Sequence, residues 1–596
     1  MAYSSRYTDL VTLLEGSVGK YAQKPLFGTR RGGKWEWTTF AEFGRLVDEC
    51  RAGLASLGVG VGDRVAVISN NRLEWIVGAF ATYGLGAAYT AMYETQLDKE
   101  WAYILSDSGA KACFVANRKI YDRVAKLRPG CPELRHVVLY EGTREGELGF
   151  QELLARGARA PVASRRPEPT EVACFIYTSG TTGNPKGVRL THGNLATNVS
   201  GILEVAPLRE NDCSLAFLPW AHVFGGCVEI HCAIALGNSM GICDDTSKLL
   251  EYLPEVRPTV LFAVPRIWNR IYDGVQKQMA GKSRIIRAIF DNGMKARSKQ
   301  KRGESLTLVE KISLPLAERL VFTKIVERFG GRLRFASSGA AALSAEVAEF
   351  IDNLGIEVYE GYGMTESSGC TTSNRPGESR IGSVGKAIPG VEVKLDKDAV
   401  GATDGEGEIL IYGTGVMAGY HRLEDATRDV LTPDGGLRTG DLGRFDADGF
   451  LYITGRVKEL FKLSNGKYVA PALLEEKIQL SPFIAQCVVY GDDKPHNVAM
   501  IVPDLDSLGS WAKEKGLAAS PKELLGDPAT KALYASELEK FGKDFKGYER
   551  IKDFFFETEL LTTDNGMLTP TLKLKRRNVL KRYEERFKSL YGGAAS

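Results

Sequence analysis

The densest concentration of phosphate-handling chemistry lies in YTSGTTGNPKGVRLTH, Tyr177 to His192, which follows a strand-like run and leads into a helical pattern. Thr178, Ser179, Thr181 and Thr182 offer hydroxyl donors and Lys186 a positive charge. Gly180, Gly183 and Gly187 allow backbone conformations in which N–H groups converge on oxyanions. Such a loop suits a polyphosphate. It is not a Walker A loop, because the positions that should read Gly-Lys-Ser/Thr hold Pro185, Lys186 and Gly187. A plain flexible loop rich in Ser, Thr and Gly is the alternative. Further candidates follow in order: Glu366, a hard oxygen ligand suited to a divalent cation; Asp441 in RTGDLG, which by itself reads as a turn former; and the lysines of LTPTLKLKRR, Leu568 to Arg577. No Ser/His/Asp or Cys/His arrangement stands out.

The loop resembles the signature T-S-G-T-T-G-x-P-K-G of the adenylate-forming superfamily, which includes acyl-CoA synthetases, the adenylation domains of peptide synthetases and luciferase. The family's other motifs recur in order. SSGAAAL, Ser337 to Leu343, matches the turn that packs on adenine, carried here by Gly339, Ala340 and Ala341. EGYGMTES, from Glu360 through Gly361, Tyr362, Gly363, Met364 and Thr365 to Glu366 and Ser367, matches the segment that stacks on the purine and reaches the α-phosphate. The resemblance implies that Glu366, with Thr178 or Ser179 nearby, holds Mg²⁺. It also implies that Asp441 accepts the ribose hydroxyls, that Arg456 contacts the nucleotide and that Lys458 is the hinge between domains. Lys573 takes the catalytic-lysine position of a G-K-x-x-R pattern in which Leu572 replaces glycine; Lys575 is the alternative. T-P-T-x-K in the tail, LPWAHVFG (Leu218 to Gly225) and SNGKYVAP (Ser464 to Pro471) are similar to the long-chain acyl-CoA synthetase branch. The implied activity is a long-chain fatty acid–CoA ligase that uses ATP, Mg²⁺ and coenzyme A, with catalysis by Lys573, Lys186 and Thr365. Gly466 would line the coenzyme A passage, and His222 and Phe224 would border the acyl pocket. The alternatives are a fatty acyl-AMP ligase that loads a carrier protein, an aryl or medium-chain acyl-CoA ligase, and a catalytically dead scaffold.

The elements that must position these residues follow an α/β rhythm. RVAVIS, ACFIYTSG, TVLFAVP and RLRFASSG are short apolar runs followed by helical patterns. Residues 1–455 are expected to form a large domain of helix-covered sheets, the adenylate-forming fold. Residues 456–596 form a smaller, mobile α+β domain with a closing helix from Arg576, whose Val579, Tyr583, Phe587 and Leu590 face its core. Trp75 to Tyr93 reads as a buried helix and strand rather than a membrane span.

Composition is that of a folded soluble protein, with 44% apolar and 25% charged residues. A net charge of +3 gives no overall pull toward nucleic acid. Ten cysteines without a C-x-x-C pair, and no signal-peptide pattern at the start, fit a cytoplasmic setting. From Lys282 to Arg302 eight basic residues accompany one acid, with Ile285, Ile286, Ile289 and Phe290 as an apolar face. Two readings stay open: a solvated surface helix, or peripheral contact with lipid at the inner face of a membrane.

Overall fold

Runs such as RVAVI have too few polar residues to face water on either side, and they form the interior of sheets covered by helices. The computed structural model describes residues 3–178, 184–399, 405–517, 520, 522–569 and 572–592. Its packing divides the chain into a larger unit (residues 1–394, 410–438 and 449–451) and a smaller one (395–409, 439–448 and 452–596).

In the larger unit a six-stranded sheet runs in the order His136–Leu139, Ala112–Val115, Arg64–Ile68, Ala88–Met92, Val172–Thr178 and Lys186–Thr191. All neighbours are parallel except the last pair. Trp75 to Tyr93 is the helix Leu73–Tyr83 and the strand Ala88–Met92, both almost wholly buried. A second sheet places Val260–Ala263, Phe335–Ser338 and Glu357–Tyr362 side by side in parallel. Gly339 to Ala341 and Gly363 to Glu366 therefore leave the carboxyl ends of adjacent strands, where open α/β sheets bind their ligands.

The basic stretch is the helix Arg284–Lys301, which forms an antiparallel hairpin with Leu308–Ala317. Lys299 pairs with Glu310 at 2.7 Å, and the Phe290 and Phe322 rings meet at 6.1 Å. The expected four-residue apolar face is split. Phe290 turns inward with Gly293 and Ala296, whereas Ile285 is 72% exposed. Among the described residues no helix is long and apolar enough to cross a membrane.

The smaller unit is built on the sheet Ile484–Tyr490, Asn497–Pro503 and Ile551–Phe556. Strand alternation sends Cys487, Val489, Ala499 and Ile501 to one face, against helices Pro471–Ile478, Leu505–Glu514 and Pro528–Gly542. Val488, Val498, Met500 and Val502 face Val579, Tyr583 and Phe587 on the other. The expected closing helix is two short ones, Arg576–Arg582 and Glu584–Ser589, because Tyr583 leaves the helical region at φ −109°, ψ 17°. Its apolar stripe is nevertheless buried as expected; only Leu590 is partly exposed.

Candidate active site

The phosphate loop connects two antiparallel strands in which Thr178 is the cross-strand partner of Lys186. Ser179, Gly180, Thr181, Thr182 and Gly183 lie outside the described residues. The base of the loop is anchored by Tyr177, whose hydroxyl donates to Asp107 Oδ2 at 2.7 Å. Burial, and then the Asp107 carboxylate, keep that phenol protonated.

The strand Lys186–Thr191 has a second neighbour, the segment from Met417 to His421. His421 N donates to Gly187 O at 2.7 Å, Ala418 N to Arg189 O at 3.0 Å and Arg189 N to Gly419 O at 3.0 Å. This pairing seats Tyr420 between two of the expected site residues. Its hydroxyl donates to Glu366 Oε1 at 2.8 Å, and the Lys186 ammonium lies 4.9 Å from its ring centroid. Burial and the Glu366 charge push the Tyr420 phenol upward, so it remains a donor.

Thr365 and Glu366, both buried, begin a short turn, Thr365–Ser367. Met364 O accepts from Ser367 N and Gly369 N, each at 3.1 Å. Met417 N donates to Glu366 O at 2.9 Å. Gly363 must be glycine, since a Cβ there would stand 2.2 Å from Gly369 O. Glu360 is buried and its carboxyl is pushed up to about 7 by desolvation. It accepts from Leu343 N at 3.3 Å and so ties the two motif turns together.

A cleft opens beside these turns. Its lining includes His222, Phe224, Gly339, Ala340, Gly361, Tyr362 and Gly363, with apolar walls from residues such as Val205 and Phe262. Ala341 is exposed and outside that lining. Ala340 holds φ +70°, a left-handed conformation that costs a residue with a Cβ and persists only where its surroundings fix it. His222 lies in a tight turn, with Phe224 N donating to its Nδ1 at 3.3 Å. The chain behind it is tightly packed: a Cβ on Gly226 would meet Trp220 O at 2.1 Å. Leu208 and Phe262 also border a much smaller pocket lined by Glu229. Burial pushes the Glu229 carboxyl up to about 8, so the apolar end of the cleft adjoins a neutral acid.

In the smaller unit Arg456 Nε lies 2.9 Å from Asp441 Oδ1, bringing those two expected residues together. Asp441 is 4% exposed and its N–H donates to Thr439 Oγ1 at 3.0 Å. Lys458 is exposed in the 3₁₀ turn Val457–Glu459 that follows the strand Leu451–Arg456. Gly466, at φ +84°, closes the hairpin between Phe461–Lys462 and Tyr468–Val469.

Lys573 is exposed at the end of a tight turn. Thr569 N donates to Lys573 O at 2.8 Å and Lys573 N to Thr569 Oγ1 at 3.0 Å. Leu572, the residue that stands in place of the pattern's glycine, has φ +61°. The backbone here keeps the conformation that glycine adopts most readily. Lys575 instead caps the helix Arg576–Arg582 and is partly buried. Arg576 anchors the segment through Glu475, at 2.7 and 2.6 Å.

Tyr420 is the residue that sequence reasoning missed. Nothing in MAGYH marks it; its role comes from strand pairing across more than two hundred residues.

The chain matches the "AMP-binding enzyme" family over residues 14–421 and the "AMP-binding enzyme C-terminal domain" over residues 458–595. It is 35% identical over 571 residues to a long-chain-fatty-acid–CoA ligase, FadD15, of Mycobacterium bovis, covering 94% of this chain and 93% of that protein. It is 32% identical over 618 residues to the peroxisomal long chain acyl-CoA synthetase 6 of Arabidopsis thaliana, covering 98% and 87%. Among solved structures, the adenylation domain of a carboxylate reductase from Mycobacterium chelonae aligns with a TM-score of 0.81 at 22% identity, over 99% of this chain and 92% of that one. An anthranilate CoA ligase bound to anthranoyl-AMP aligns with a TM-score of 0.75 at 22% identity, over 98% of each chain. With the motif turns at the carboxyl ends of its sheet strands and a family match across most of its length, the chain belongs to the AMP-binding enzymes and has the adenylate-forming fold.

Proposed function

We infer that the protein is an AMP-forming long-chain fatty acid–CoA ligase. A fatty acid carboxylate attacks the α-phosphorus of ATP to give acyl-AMP and pyrophosphate. The thiol of coenzyme A then attacks the acyl carbonyl, giving acyl-CoA and AMP. The observation that carries this reading is the grouping of Lys186, Tyr420 and Glu366 at the phosphate loop, with the Glu366 turn flanked by residues that line an apolar cleft.

Adenylation brings two anions together, so its barrier is chiefly electrostatic and no protein nucleophile is needed. Lys186 offsets phosphate charge, the Thr365 hydroxyl donates to the α-phosphate and Tyr362 lies against the base. His222 and Phe224 border the acyl carboxylate, and the cleft walls take the first part of the alkyl chain. Among the described residues no cluster of three or more His, Cys, Asp or Glu could hold a metal alone. One buried carboxylate, Glu366, joined by Thr178 from the strand pair that also carries Lys186, fits Mg²⁺ that arrives on a polyphosphate, because Mg²⁺ is usually held by one or two carboxylates plus phosphates and water. Bound there, Mg²⁺ would neutralise charge on the phosphates. Asp441 and Arg456 bind the ribose side of the nucleotide.

Lys573 serves the first half-reaction. A rotation of residues 456–596 about Lys458 then withdraws it and brings the Gly466 hairpin to the pantetheine passage.

Incubation with MgATP and palmitate, with and without coenzyme A, followed by mass spectrometry, tests the assignment. Palmitoyl-CoA with AMP is expected. Palmitoyl-AMP that accumulates in the presence of coenzyme A would assign the protein to carrier-protein loading, and products from octanoate or benzoate alone would replace the long-chain substrate.

A further inference from the structure

The helical hairpin that leaves the second sheet presents a feature the ligase chemistry does not use. From Leu308 the chain is helical through Ala317, a π turn Glu318–Phe322 and on to Thr323–Glu327. That rod is about 30 Å long at 1.5 Å per residue. One side of it, with Ser313, Leu314, Ala317 and Val321, is buried in the hairpin. The other side carries Leu308, Val309, Ile312, Leu316 and Leu320, which are between 39% and 79% exposed. Leu308, Ile312, Leu316 and Leu320 recur at i, i+4, i+8 and i+12 in one stripe, with Val309 beside Leu308. Single exposed apolar residues are ordinary, but five in a row along one helix are not.

The surroundings of the stripe are basic. Residues 282–332 hold thirteen Lys and Arg against five Asp and Glu, a net charge of +8 in a chain whose total is +3. Lys299, Arg297 and Lys301 are engaged by Glu310, Glu318 and Asp352. Lys311, Arg319 and Lys324 are exposed on the rod itself and form no ion pair among the described residues.

We propose that the rod from Leu308 to Glu327 docks the protein on an anionic lipid surface, the apolar stripe entering the headgroup boundary and the flanking cations meeting lipid phosphates. An exposed apolar stripe with Lys and Arg beside it is the arrangement of a helix that lies in a membrane interface. Two copies meeting through this face would instead set like charges against each other. The site differs from the one expected from the sequence: the helix Arg284–Lys301 buries its aromatic residue inward and serves as the support. Docking would bring the enzyme to the phase in which long-chain acids dissolve. Only that benefit rests on the ligase assignment, since lipid binding is read without substrate.

Flotation of the full-length protein with vesicles of phosphatidylcholine, or of phosphatidylcholine with about a third phosphatidylglycerol, tests the proposal at low and high salt. The wild type should float with the anionic vesicles, should release in high salt and should not float with the neutral ones. The combined variant Leu308→Gln, Ile312→Gln and Leu316→Gln should bind at least about tenfold more weakly while melting within a few degrees of wild type, because the three side chains are 79%, 60% and 41% exposed. Lys311→Glu with Arg319→Glu should also lose binding. AMP formation from octanoate in the absence of vesicles should be unchanged in both variants. A wild type that stays unbound, a triple variant that floats equally well, or a wild-type dimer that the triple variant converts to monomer would overturn the proposal, the last by assigning the stripe to a second copy. Vesicle binding without palmitoyl-CoA synthesis would sink the ligase reading alone.

Discussion

Glu366 and Lys573 carry opposite charges and opposite kinds of support. Glu366 is buried, its backbone is held by Met417 and its carboxylate by Tyr420, and the same tyrosine ring lies against Lys186. Lys573 is exposed, on a turn closed by Thr569 and led into by a leucine in the left-handed region, with its anchor displaced to Arg576 and Glu475. Under the proposed function Glu366 and Lys186 stay with the nucleotide through both half-reactions, and such groups benefit from being fixed before substrate arrives, since preorganised charges need no rearrangement at the moment of reaction. Under the proposed mechanism Lys573 is required in one half-reaction and obstructive in the other, and such a group is better carried at an exposed point on a rigid base. The Arg576–Glu475 pair supplies such a base, and its two hydrogen bonds hold a helix start rather than the lysine itself.

The comparison breaks most directly at Lys573. Lys573→Ala is expected to lower acyl-AMP formation from palmitate and ATP by about a hundredfold, the scale of losing one transition-state donor. Thioester formation from supplied palmitoyl-AMP should stay within a few fold of wild type. Pyrophosphate exchange reads the first step and single-turnover transfer to coenzyme A the second. An equal loss in both would remove the division of labour between the two regions.

The buried side of the comparison is sharpened by Tyr420→Phe. The change keeps the ring beside Lys186 and deletes only the hydroxyl that donates to Glu366. Loss of one hydrogen bond to a charged group predicts about a tenfold fall in adenylation, on the order of 1.5 kcal/mol. The fall should be accompanied by a higher Mg²⁺ requirement in pyrophosphate exchange. Full activity at ordinary Mg²⁺ would mean that the turn alone positions Glu366.

These two sites were legible in the sequence to different degrees. Lys186, Glu366, Asp441 and Arg456 lie in short strings that resemble family motifs, and the sheet interior beside them follows from apolar runs such as RVAVI and VLFA. The grouping of Glu366 with Tyr420 was not legible, because antiparallel pairing of Lys186–Thr191 with Met417 to His421 leaves no local periodicity. The apolar spacing continues through Tyr583 and so predicts one closing helix; spacing does not register a single residue leaving the helical region. On the basic hairpin, the apolar face expected on Arg284–Lys301 is split between the interior and solvent. Phe290 looked like part of an outward apolar side, yet an aromatic ring gains more from packing on Phe322 than from solvent exposure.

The smallest expected effect bears on the tail, where the sequence departed from the pattern. Leu572 occupies the position of a glycine and adopts φ +61°, which costs a side-chain-bearing residue roughly 1–2 kcal/mol. Glycine would remove that cost but lose more backbone entropy on folding, about 0.5–1 kcal/mol. Leu572 is 49% exposed, so little burial is forfeited. Leu572→Gly should therefore stabilise the smaller unit by no more than about 1 kcal/mol, read as a small upward shift in melting temperature, with palmitoyl-CoA synthesis close to wild type. Leu572→Val should move both readouts the other way, because a β-branched residue fits the left-handed region worst. If glycine instead left stability unchanged and slowed only adenylation, the leucine side chain would be helping to aim Lys573, and the exposed turn would share the rigidity that now distinguishes the Glu366 site.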